Sequence, residues 1–350
     1  FDRTFFMIKK VKVGKFILGD GYVTVQSMLN AKTKDMDSVY RQLDRLKEAG
    51  CDIARIAVTD VEEADLCKDY IKYTDMPLVA DIQYDYRLAI KCSDVGFAKV
   101  RFNPGNIGSD QNVAALVSAC KANGTTIRIG VNGGSLQKDL LSVRDRAEAL
   151  KISALKQVEL LQKHDFNDIV ISAKSSDVAT TVRANRLLRA ECDFPLHIGI
   201  TESGDVVDGT INSAVGIGAL LLDGIGETIR VSLSGDPVEE VTAAKKILRA
   251  VGLRDDYVKI VSCPTCSRCE YDLFGTVKEI KEFTKDIKKP IKVAIMGCLV
   301  NGPGEAADAD FGVAGGKDKA ALFIKGTVVK TITHDEIIPL LKRLIGEYNE

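Results

Sequence analysis

The stretch SVYRQLDRLKEAGCDIARIAV (38–58) joins a helical pattern to a strand pattern, and this pairing decides the fold. In its first part, 38–50, apolar residues recur every three to four positions, which is typical of an amphipathic helix. Its second part, 52–58, is a short run rich in Ile and Val, which is typical of a buried strand. A chain that alternates such helices and strands predicts βαβ units with parallel strands.

The same alternation continues over the first two-thirds of the chain, with helical patterns such as 149–164 between the apolar runs. Eight strand candidates, each followed by a helix, predict the α/β class and a closed (β/α)8 TIM barrel. A doubly wound parallel sheet is the alternative, but no G-x-G-x-x-G or Walker loop occupies a strand-to-helix turn. The other seven candidates are YVTVQS (22–27), PLVADI (77–82), FAKVRF (97–102), TTIRIGV (125–131), DIVISA (168–173), PLHIGI (195–200) and TIRVSL (228–233).

The pattern changes after Arg254. A strand, a cysteine cluster, a helix, the strand IKVAIMGC (291–298), a Gly-rich loop, two short strands and a terminal helix follow in that order. This order predicts a smaller α+β unit. We therefore expect a TIM-barrel domain over 7–254 and a smaller C-terminal α+β domain over 255–350, and we give residues 1–6 no role in the fold.

The bulk composition is that of an ordinary globular protein. The 350 residues are 45% hydrophobic and 28% charged, and the net charge is −1. This balance argues against a nucleic-acid-binding protein driven by bulk electrostatics. No apolar run approaches the ~18 residues of a membrane-spanning helix, so we expect a cytoplasmic protein.

Polar side chains cluster where the predicted strands end, which is where barrel enzymes hold their active sites. Four arginines and one lysine fall there, with Asp81 and Glu202 as the obvious acids. An unpaired buried cation is costly, and internal salt bridges would satisfy any single one of them. Five together favour a bound phosphate or diphosphate, because Arg binds phosphate oxygens bidentately. The strand ends contribute Arg55, Asp81, Gln83, Arg101, Asn103, Asn106, Arg128, Asn132, Ser135, Ser172, Lys174, Ser176, His197, Thr201, Glu202, Arg230 and Ser232.

On residue type alone, two further groups of side chains are interpreted as structural core residues. His197 by itself fits a hydrogen-bonded core residue better than a catalyst. Five of the nine cysteines are scattered singly and are interpreted as small core residues. They are Cys51, Cys67, Cys92, Cys120 and Cys192.

The other four cysteines fall within 263–298, which points to a metal site in a reducing compartment. Cys263, Cys266 and Cys269 are three residues apart, and C-x2-C binds either zinc or an iron–sulfur cluster. A four-thiolate zinc site that adds Cys298 stays open on spacing alone. Glu305, in the loop after Cys298, would by itself be a solvated acid.

Several motifs together resemble the family of bacterial 4-hydroxy-3-methylbut-2-enyl diphosphate synthases, which act in the methylerythritol phosphate route to isoprenoids. The resemblance is collinear from about Val11 to the C-terminus. Its motifs are VADIQYDYRLA (79–89), RFNPGNIG (101–108), RIGVNGGSL (128–136), ISAKSSD (171–177), LHIGITESG (196–204), DGIGETIRVSLSGDP (223–237), SCPTCSR (262–268) and GCLVNGPGEA (297–306).

The resemblance implies a TIM barrel followed by an iron–sulfur domain with a 4Fe-4S cluster. It implies Cys263, Cys266, Cys298 and Glu305 as cluster ligands and leaves Cys269 without that role. It also implies two-electron reductive ring opening of 2-C-methyl-D-erythritol 2,4-cyclodiphosphate, with electrons from flavodoxin or ferredoxin.

The resemblance further implies a homodimer in which the cluster domain of one subunit caps the barrel of the other. Asn301 would reach the substrate from that cap, and Glu202 and Glu305 are the candidate catalytic residues. Asp81, Asn132 and Glu202 would contact the polyol end, beside Thr201. The diphosphate would be held by Arg55, Arg101, Arg128, Lys174, Arg230 and Ser232.

Two departures from the family pattern stand out. Relatives commonly carry His where this chain has Gln83, and Gln cannot act as an acid near neutral pH. The segment SMLNAKTKD (27–35) differs from the usual Thr-rich version. Other classes remain as alternatives: a zinc-stabilised barrel that only binds a phosphate ligand, and an iron–sulfur dehydratase that needs no reductant.

Overall fold

The computed structural model describes residues 7–82, 85–102, 109–300 and 302–348, apart from the side chains of Ser135, Lys138 and Glu305. Residues 1–6, Gln83 and Asn301 therefore lie outside the described residues. The chain divides into two compact units, one ending at Leu253 and the other beginning at Arg254.

The first unit alternates strands and helices as the sequence predicts, after an additional N-terminal hairpin. Two short 3-10 helices, at Gly133–Ser135 and Lys138–Leu140, follow its seventh strand. The other elements are β1 (Val11–Val13), β2 (Phe16–Leu18), β3 (Thr24–Met28), α1 (Met36–Ala49), β4 (Ile53–Ala57), α2 (Val61–Tyr73), β5 (Leu78–Asp81), α3 (Tyr86–Val95), β6 (Lys99–Phe102), α4 (Asp110–Asn123), β7 (Thr126–Asn132), α5 (Arg146–Gln162), β8 (Ile169–Lys174), α6 (Val178–Glu191), β9 (His197–Ile198), α7 (Val206–Leu222), β10 (Thr228–Ile229) and α8 (Pro237–Ala250).

The eight strands β3 to β10 form one parallel sheet in the order β8-β7-β6-β5-β4-β3-β10-β9. Its two ends meet, because Ile171 on β8 bridges to Leu196 just before β9. The Ile171 backbone N–H also donates to the Pro195 carbonyl at 2.9 Å. The sheet is therefore a closed barrel, which confirms the predicted TIM barrel and excludes the doubly wound alternative.

Aspartate residues fix where most of the barrel helices begin. The Asp60 side chain accepts a hydrogen bond from the Glu63 backbone N–H at 2.8 Å, which satisfies one of the otherwise unpaired donors of the first turn of α2. Gly50 ends α1 in the left-handed conformation that glycine adopts without steric cost. The aspartates that cap helices of this unit are Asp35, Asp60, Asp85, Asp145, Asp177, Asp205 and Asp236.

The antiparallel hairpin β1–β2 packs against residues at the N-terminal ends of the barrel strands, and the sequence analysis did not predict it. Val11, Val13 and Leu18 are fully buried in one cluster with Ile53, Val79 and Val170 of the barrel. The Thr126 hydroxyl donates to the Lys12 carbonyl at 2.6 Å. The hairpin therefore gives this end of the barrel an apolar floor.

The second unit is a five-stranded sheet in sequential order, with parallel pairing from β11 to β13 and antiparallel pairing from β13 to β15. Helices α9 and α11 contribute Ile280, Leu341 and Ile345 to one of its cores. Its elements are β11 (Lys259–Ser262), α9 (Leu273–Thr284), β12 (Lys292–Met296), α10 (Gly302–Glu305), β13 (Phe311–Gly315), β14 (Lys319–Ile324), β15 (Thr327–Thr333) and α11 (Ile337–Glu347).

The Gly-rich segment expected to be a loop contains the short helix α10 and the buried strand β13. Small residues allow the two to pack closely: a Cβ on Gly302 would lie 2.7 Å from the Ala314 Cβ. Gly312 sits within β13 with the Cβ atoms of Ala294 and Ala306 at 3.3 Å from where its own would be. Glycine marks close packing here, which a composition-based loop prediction misses.

Candidate functional site

A cavity of about 130 Å³ lies where the barrel strands end. Side chains at alternate positions of a strand share one face, so residues such as Arg128, Gly130 and Asn132 of β7 all point to the barrel interior. Ser172 also lines the cavity. Nine residues predicted from the strand ends as substrate-binding groups line it: Arg55, Asp81, Arg101, Arg128, Asn132, Lys174, Thr201, Arg230 and Ser232.

One residue of the predicted substrate-binding set does not line this cavity, and another lies outside the described residues. Glu202 follows Thr201 but is exposed and does not line the cavity. Its backbone has φ 51°, a left-handed conformation that is uncommon outside glycine. Asn301 lies outside the described residues, as do Gln83, Asn103 and Asn106.

Asp81 is the acid shared by the cations of the cavity. Arg101 Nη1 donates to Asp81 Oδ1 at 3.1 Å, and Arg55 Nε lies 3.8 Å from Asp81 Oδ2. Burial alone favours the protonated acid, but Arg55 and Arg101 outweigh it and hold the pKa of Asp81 below its ordinary value. Asp81 is therefore a carboxylate near neutral pH.

Glu240, on α8, pairs with a third cation of the cavity, Arg230. Arg230 Nη2 donates to Glu240 Oε1 at 3.3 Å, and the Ser27 hydroxyl donates to Glu240 Oε2 at 2.9 Å. The sequence analysis missed this acid, since it lies in a helix and not at a strand end.

Two cations of the cavity have no carboxylate partner among the described residues. Nε and Nη1 of Arg128 are buried without a hydrogen-bond partner there. Burial, and then neighbouring arginines, lower the pKa of Lys174 well below its ordinary value. Guanidinium stays charged in proteins, so the positive charge of Arg128 calls for an anion in the cavity.

Two glycines leave space for the side chains of Arg101 and Lys174 in the cavity. A Cβ on Gly130 would lie 2.7 Å from Arg101 Nε, and one on Gly199 would lie 2.7 Å from Lys174 Nζ. A Cβ on Gly199 would also overlap the carbonyl oxygen of Arg230. Gly130 and Gly199 stand within the quoted motifs, but the sequence gives no sign that they position cations.

In the second unit, Cys263, Cys266 and Cys298 line a cavity of about 220 Å³. The Gly297 backbone N–H donates to Cys263 Sγ at 3.2 Å. Thr265, inside the C-x2-C segment, has a left-handed φ of 64°. Thiols from two separate segments of the chain thus face one space.

Cys269 does not line this cavity. Its Sγ donates to the Tyr271 carbonyl at 3.4 Å, and its side chain packs against the apolar core of the unit. It still lies near the thiol cavity, because a Cβ on Gly297 would be 2.9 Å from Cys269 Sγ and 3.3 Å from Cys263 Sγ.

The backbone of Glu305 closes α10, and its side chain is not described. Among the described residues, no three His, Cys, Asp or Glu side chains converge on a point where a single metal ion would bind. The three thiols surround a volume instead.

The scattered cysteines are largely core residues. Cys51, Cys67, Cys92 and Cys120 are buried, and Cys192 is partly buried. Burial raises the pKa of Cys51, Cys67 and Cys120 to about 12, so these thiols are poor nucleophiles near neutral pH.

The fold and the two cavities define a class: a TIM-barrel protein with a cationic cavity at the strand ends, followed by a smaller domain that presents three thiols to one space. The chain belongs to the GcpE family. The family model described as GcpE TIM-barrel domain matches residues 8–245, and that described as GcpE protein C-terminal domain matches 259–347.

Known relatives agree with the resemblance seen in the sequence, which is thereby confirmed. A protein of Clostridium perfringens named 4-hydroxy-3-methylbut-2-en-1-yl diphosphate synthase (flavodoxin) is 49% identical over 340 residues, covering 96% of this chain and 97% of the relative. A Desulfotalea psychrophila protein of the same name is 44% identical over 348 residues, covering 98% of this chain and 96% of the relative.

Two similar solved structures each cover about 70% of this chain. Dihydropteroate synthase from Stenotrophomonas maltophilia has a TM-score of 0.51 at 15% identity, covering 69% of this chain and 97% of that one. Type I 3-dehydroquinate dehydratase from Clostridium difficile has a TM-score of 0.51 at 15% identity, covering 70% and 99%. The described part of the chain contains no helix both long and apolar enough to cross a bilayer.

Proposed function

We propose that this protein catalyses the two-electron reductive ring opening and dehydroxylation of 2-C-methyl-D-erythritol 2,4-cyclodiphosphate to 4-hydroxy-3-methylbut-2-enyl diphosphate. The observation that carries the proposal is the excess of cations in the barrel cavity, where Arg128 and Lys174 have no carboxylate partner among the described residues. The names of relatives near half identical over the whole chain support the same reaction.

The diphosphate is bound by the cations. Arg128 is oriented for an anion, since its buried Nε and Nη1 find no other partner in the described chain. Asp81, held ionised by its arginines, and Asn132 accept and donate hydrogen bonds at the polyol end, with Thr201 beside them. The remaining diphosphate ligands are Arg55, Arg101, Lys174, Arg230 and Ser232.

The thiol cavity fits a 4Fe-4S cluster. Cys263, Cys266 and Cys298 line one cavity of about 220 Å³, and thiolates of a C-x2-C segment together with a further cysteine are the usual ligands of such a cluster. Glu305 completes the ligand set, and Cys269 takes no part in it. When bound, such a cluster supplies electrons singly and an iron with an exchangeable ligand position.

The chain itself moves the proton that the reaction needs. Ring opening and loss of the hydroxyl as water consume two electrons and a proton, while the diphosphate gains negative charge. Glu202, at the rim of the barrel, is the proton donor, and its strained φ of 51° is the kind of backbone outlier that accompanies function. Glu305 is the second catalytic carboxylate.

The active form is a homodimer in which the cluster domain of one subunit caps the barrel of the other, with Asn301 reaching the substrate. An exposed apolar stripe on α7 supports self-association, since such stripes mark interfaces. Its members lie on one face at helical spacing: Val207, Ile211, Val215 and Leu222, which are 66, 56, 58 and 52% exposed.

Flavodoxin is the electron donor, in line with the names of the relatives, and ferredoxin is the alternative. The protein acts in the cytoplasm in isoprenoid biosynthesis. None of its nine cysteines, which all lie within the described residues, is paired in a disulfide, as expected in a reducing compartment.

The test is turnover by anaerobically reconstituted protein with the cyclodiphosphate and a dithionite-reduced mediator. We expect 4-hydroxy-3-methylbut-2-enyl diphosphate as the product, with iron and labile sulfide in equal amounts in the protein. An intact cluster without product would contradict the proposal. Zinc without labile sulfide would favour the zinc-stabilised binding protein instead.

A further inference from the structure

Three buried polar side chains lie inside the barrel below the cationic cavity. Gln26, Lys99 and His197 are at most 1% exposed. Both amide atoms of Gln26, Lys99 Nζ and both ring nitrogens of His197 have no hydrogen-bond partner in the described part of the chain. His197 is therefore not the hydrogen-bonded core residue that its sequence context suggests.

Strand geometry places Lys99 and His197 in adjacent levels of the barrel interior, and we call this pair the buried layer. Lys99 precedes Arg101 by two residues on β6, and His197 precedes Gly199 by two residues from β9, so each lies roughly 7 Å below a position that borders the cavity. Below them, the hairpin residues Val11, Val13 and Leu18 form the apolar floor of the barrel. The layer is thus enclosed between an apolar floor and the cations.

The barrel interior carries more positive charge than its acids balance. Arg101 and Arg55 share Asp81, and Arg230 has Glu240. No carboxylate of the described residues pairs with the remaining cations. These are Arg128, Lys174 and Lys99.

Arginine keeps its proton, so the excess positive charge can be lowered only if the lysines and the histidine are deprotonated. Burial first, and then Arg128 and Arg55, lower the pKa of Lys99 well below its ordinary value. Burial first, and then Lys174 and Arg128, lower the pKa of His197 in the same direction. The charged groups that act on Lys99 or His197 are Arg55, Arg128 and Lys174. The charged groups that act on these three cations in turn are Asp81, Arg101, Arg230 and Glu240.

We propose that the layer of Lys99 and His197 takes up protons from solvent when a diphosphate occupies the cavity above it. The bound negative charge offsets the arginines, so the amine becomes ammonium and the imidazole becomes imidazolium, with the buffer as proton source. This rests on the proposed function, in that the substrate diphosphate occupies this cavity. Lys99 and His197 are positioning residues, which match the charge of the site to that of its ligand.

Calorimetry on the oxidised holoenzyme tests this without turnover. The cyclodiphosphate is titrated anaerobically, with no reductant, in HEPES and in Tris at one pH. The two buffers differ in ionisation enthalpy, so the difference in heat gives the number of protons bound. The ligand takes up none itself, since it lacks the ionisation near about pH 6 of a phosphate monoester.

We expect net proton uptake by the wild-type protein and a Kd that rises with pH, by about tenfold per pH unit for each proton bound. Lys99→Met and His197→Gln each lower the proton number, and the double variant lowers it further. Lys174, in the cavity itself, accounts for the remainder. Lys151→Met is the matched control, because Lys151 is also largely buried, at 9% exposure, but is paired with Glu148 at 2.7 Å and Glu191 at 2.6 Å.

Binding without proton uptake by the wild-type protein overturns this proposal and leaves the proposed function intact. Failure of the cyclodiphosphate to bind at all overturns the proposed function. An unchanged proton number in the folded double variant also overturns the role of the layer. If the variants do not fold, a wild-type proton number above one, which Lys174 alone cannot take up, supports the layer, and a number of one or less overturns it.

Discussion

Arg101 on β6 lies directly opposite Asp81 on the neighbouring strand β5, and Arg101 Nη1 donates a hydrogen bond to Asp81 Oδ1 at 3.1 Å. This strand register places Asp81, the acid that two arginines share, inside the cationic cavity. Asp81 also lies 3.8 Å from Arg55. The pairing thus keeps a carboxylate ionised inside a site built for an anion.

Replacing Asp81 by Asn leaves its arginines without their carboxylate. We expect the free energy of unfolding to fall by about 3 kcal/mol, because removing one partner of a buried ion pair leaves an uncompensated charge. Saturating pyrophosphate should restore part of this loss by binding only the folded state. Thermal melts with and without pyrophosphate measure both effects. The exposed Asp85→Asn is the control, and a loss that pyrophosphate does not reduce would contradict the charge argument.

The Asp81 contribution depends on pH with a defined sign. The folded-state pKa lies below the ordinary value, so its stabilisation is present above the unfolded carboxyl pKa of about 3.9 and is lost as pH falls through the folded value. The difference in urea midpoint between wild type and Asp81→Asn should therefore shrink below about pH 4. A difference that grows on acidification would disprove this.

A methyl group at Gly130 or Gly199 displaces a cation of the cavity. Because a Cβ would lie 2.7 Å from Arg101 Nε or Lys174 Nζ, we expect Gly130→Ala and Gly199→Ala to raise the KM for the cyclodiphosphate by about tenfold, one charge-assisted contact being worth about 1.5 kcal/mol or more. Gly199→Ala should also lower stability, because its Cβ overlaps the Arg230 carbonyl oxygen. Gly133→Ala is the matched control, since a Cβ there meets nothing within 4 Å. Equal KM values in all three variants would show that the cations tolerate the methyl group.

The cysteine variants separate cluster ligands from Cys269. We expect Cys263→Ala, Cys266→Ala and Cys298→Ala to lose iron and labile sulfide, while Cys269→Ala retains both, because Cys269 points to the Tyr271 carbonyl and not into the cavity. Metal and sulfide analysis with visible absorbance makes the comparison. The reverse pattern for Cys269 and Cys298 would overturn the ligand assignment.

Glu305→Ala should keep the cluster but lose most of the activity. The three thiolates suffice to hold the iron, whereas the carboxylate is the displaceable ligand of the proposed set. Iron content and kcat are measured on the same sample. Loss of the cluster together with the activity would show that Glu305 is a structural ligand.

Two substitutions of Glu202 test its backbone and its carboxyl group separately. Glu202→Gln should lower kcat by about 10²-fold or more while leaving stability unchanged, as expected for loss of a proton donor. Glu202→Gly should also lose activity but raise the free energy of unfolding by about 1 kcal/mol, because glycine adopts φ 51° without strain. Undiminished kcat in the Gln variant would remove Glu202 from the proton path.

The barrel was predictable because each strand carries its own local signal. Runs such as 125–131 and 168–173 are apolar and β-branched, and the structure contains strands there, at Thr126–Asn132 and Ile169–Lys174. The hairpin β1–β2 escaped prediction because its strands are three residues each, too short for a periodic pattern. Strand β13 was not predicted because its glycines, considered without their tertiary contacts, indicate a loop.

The sequence by itself determined the chemical inventory: cations at the strand ends, and thiols grouped near the C-terminus. Both are read from residue type and position, which need no knowledge of contacts. Only the tertiary structure decided which cations are paired. Asp81 meets Arg101 through strand register, Glu240 reaches Arg230 from a helix, and Arg128 is left without an acid in the described chain.

The enclosed layer of Lys99 and His197 belongs wholly to the tertiary level. In the sequence each is one polar residue inside an apolar strand, and alternation alone does not say which face is buried. Closing the sheet into a barrel turns both side chains inward and removes them from water. Burial among arginines, which no local pattern encodes, is what shifts their protonation.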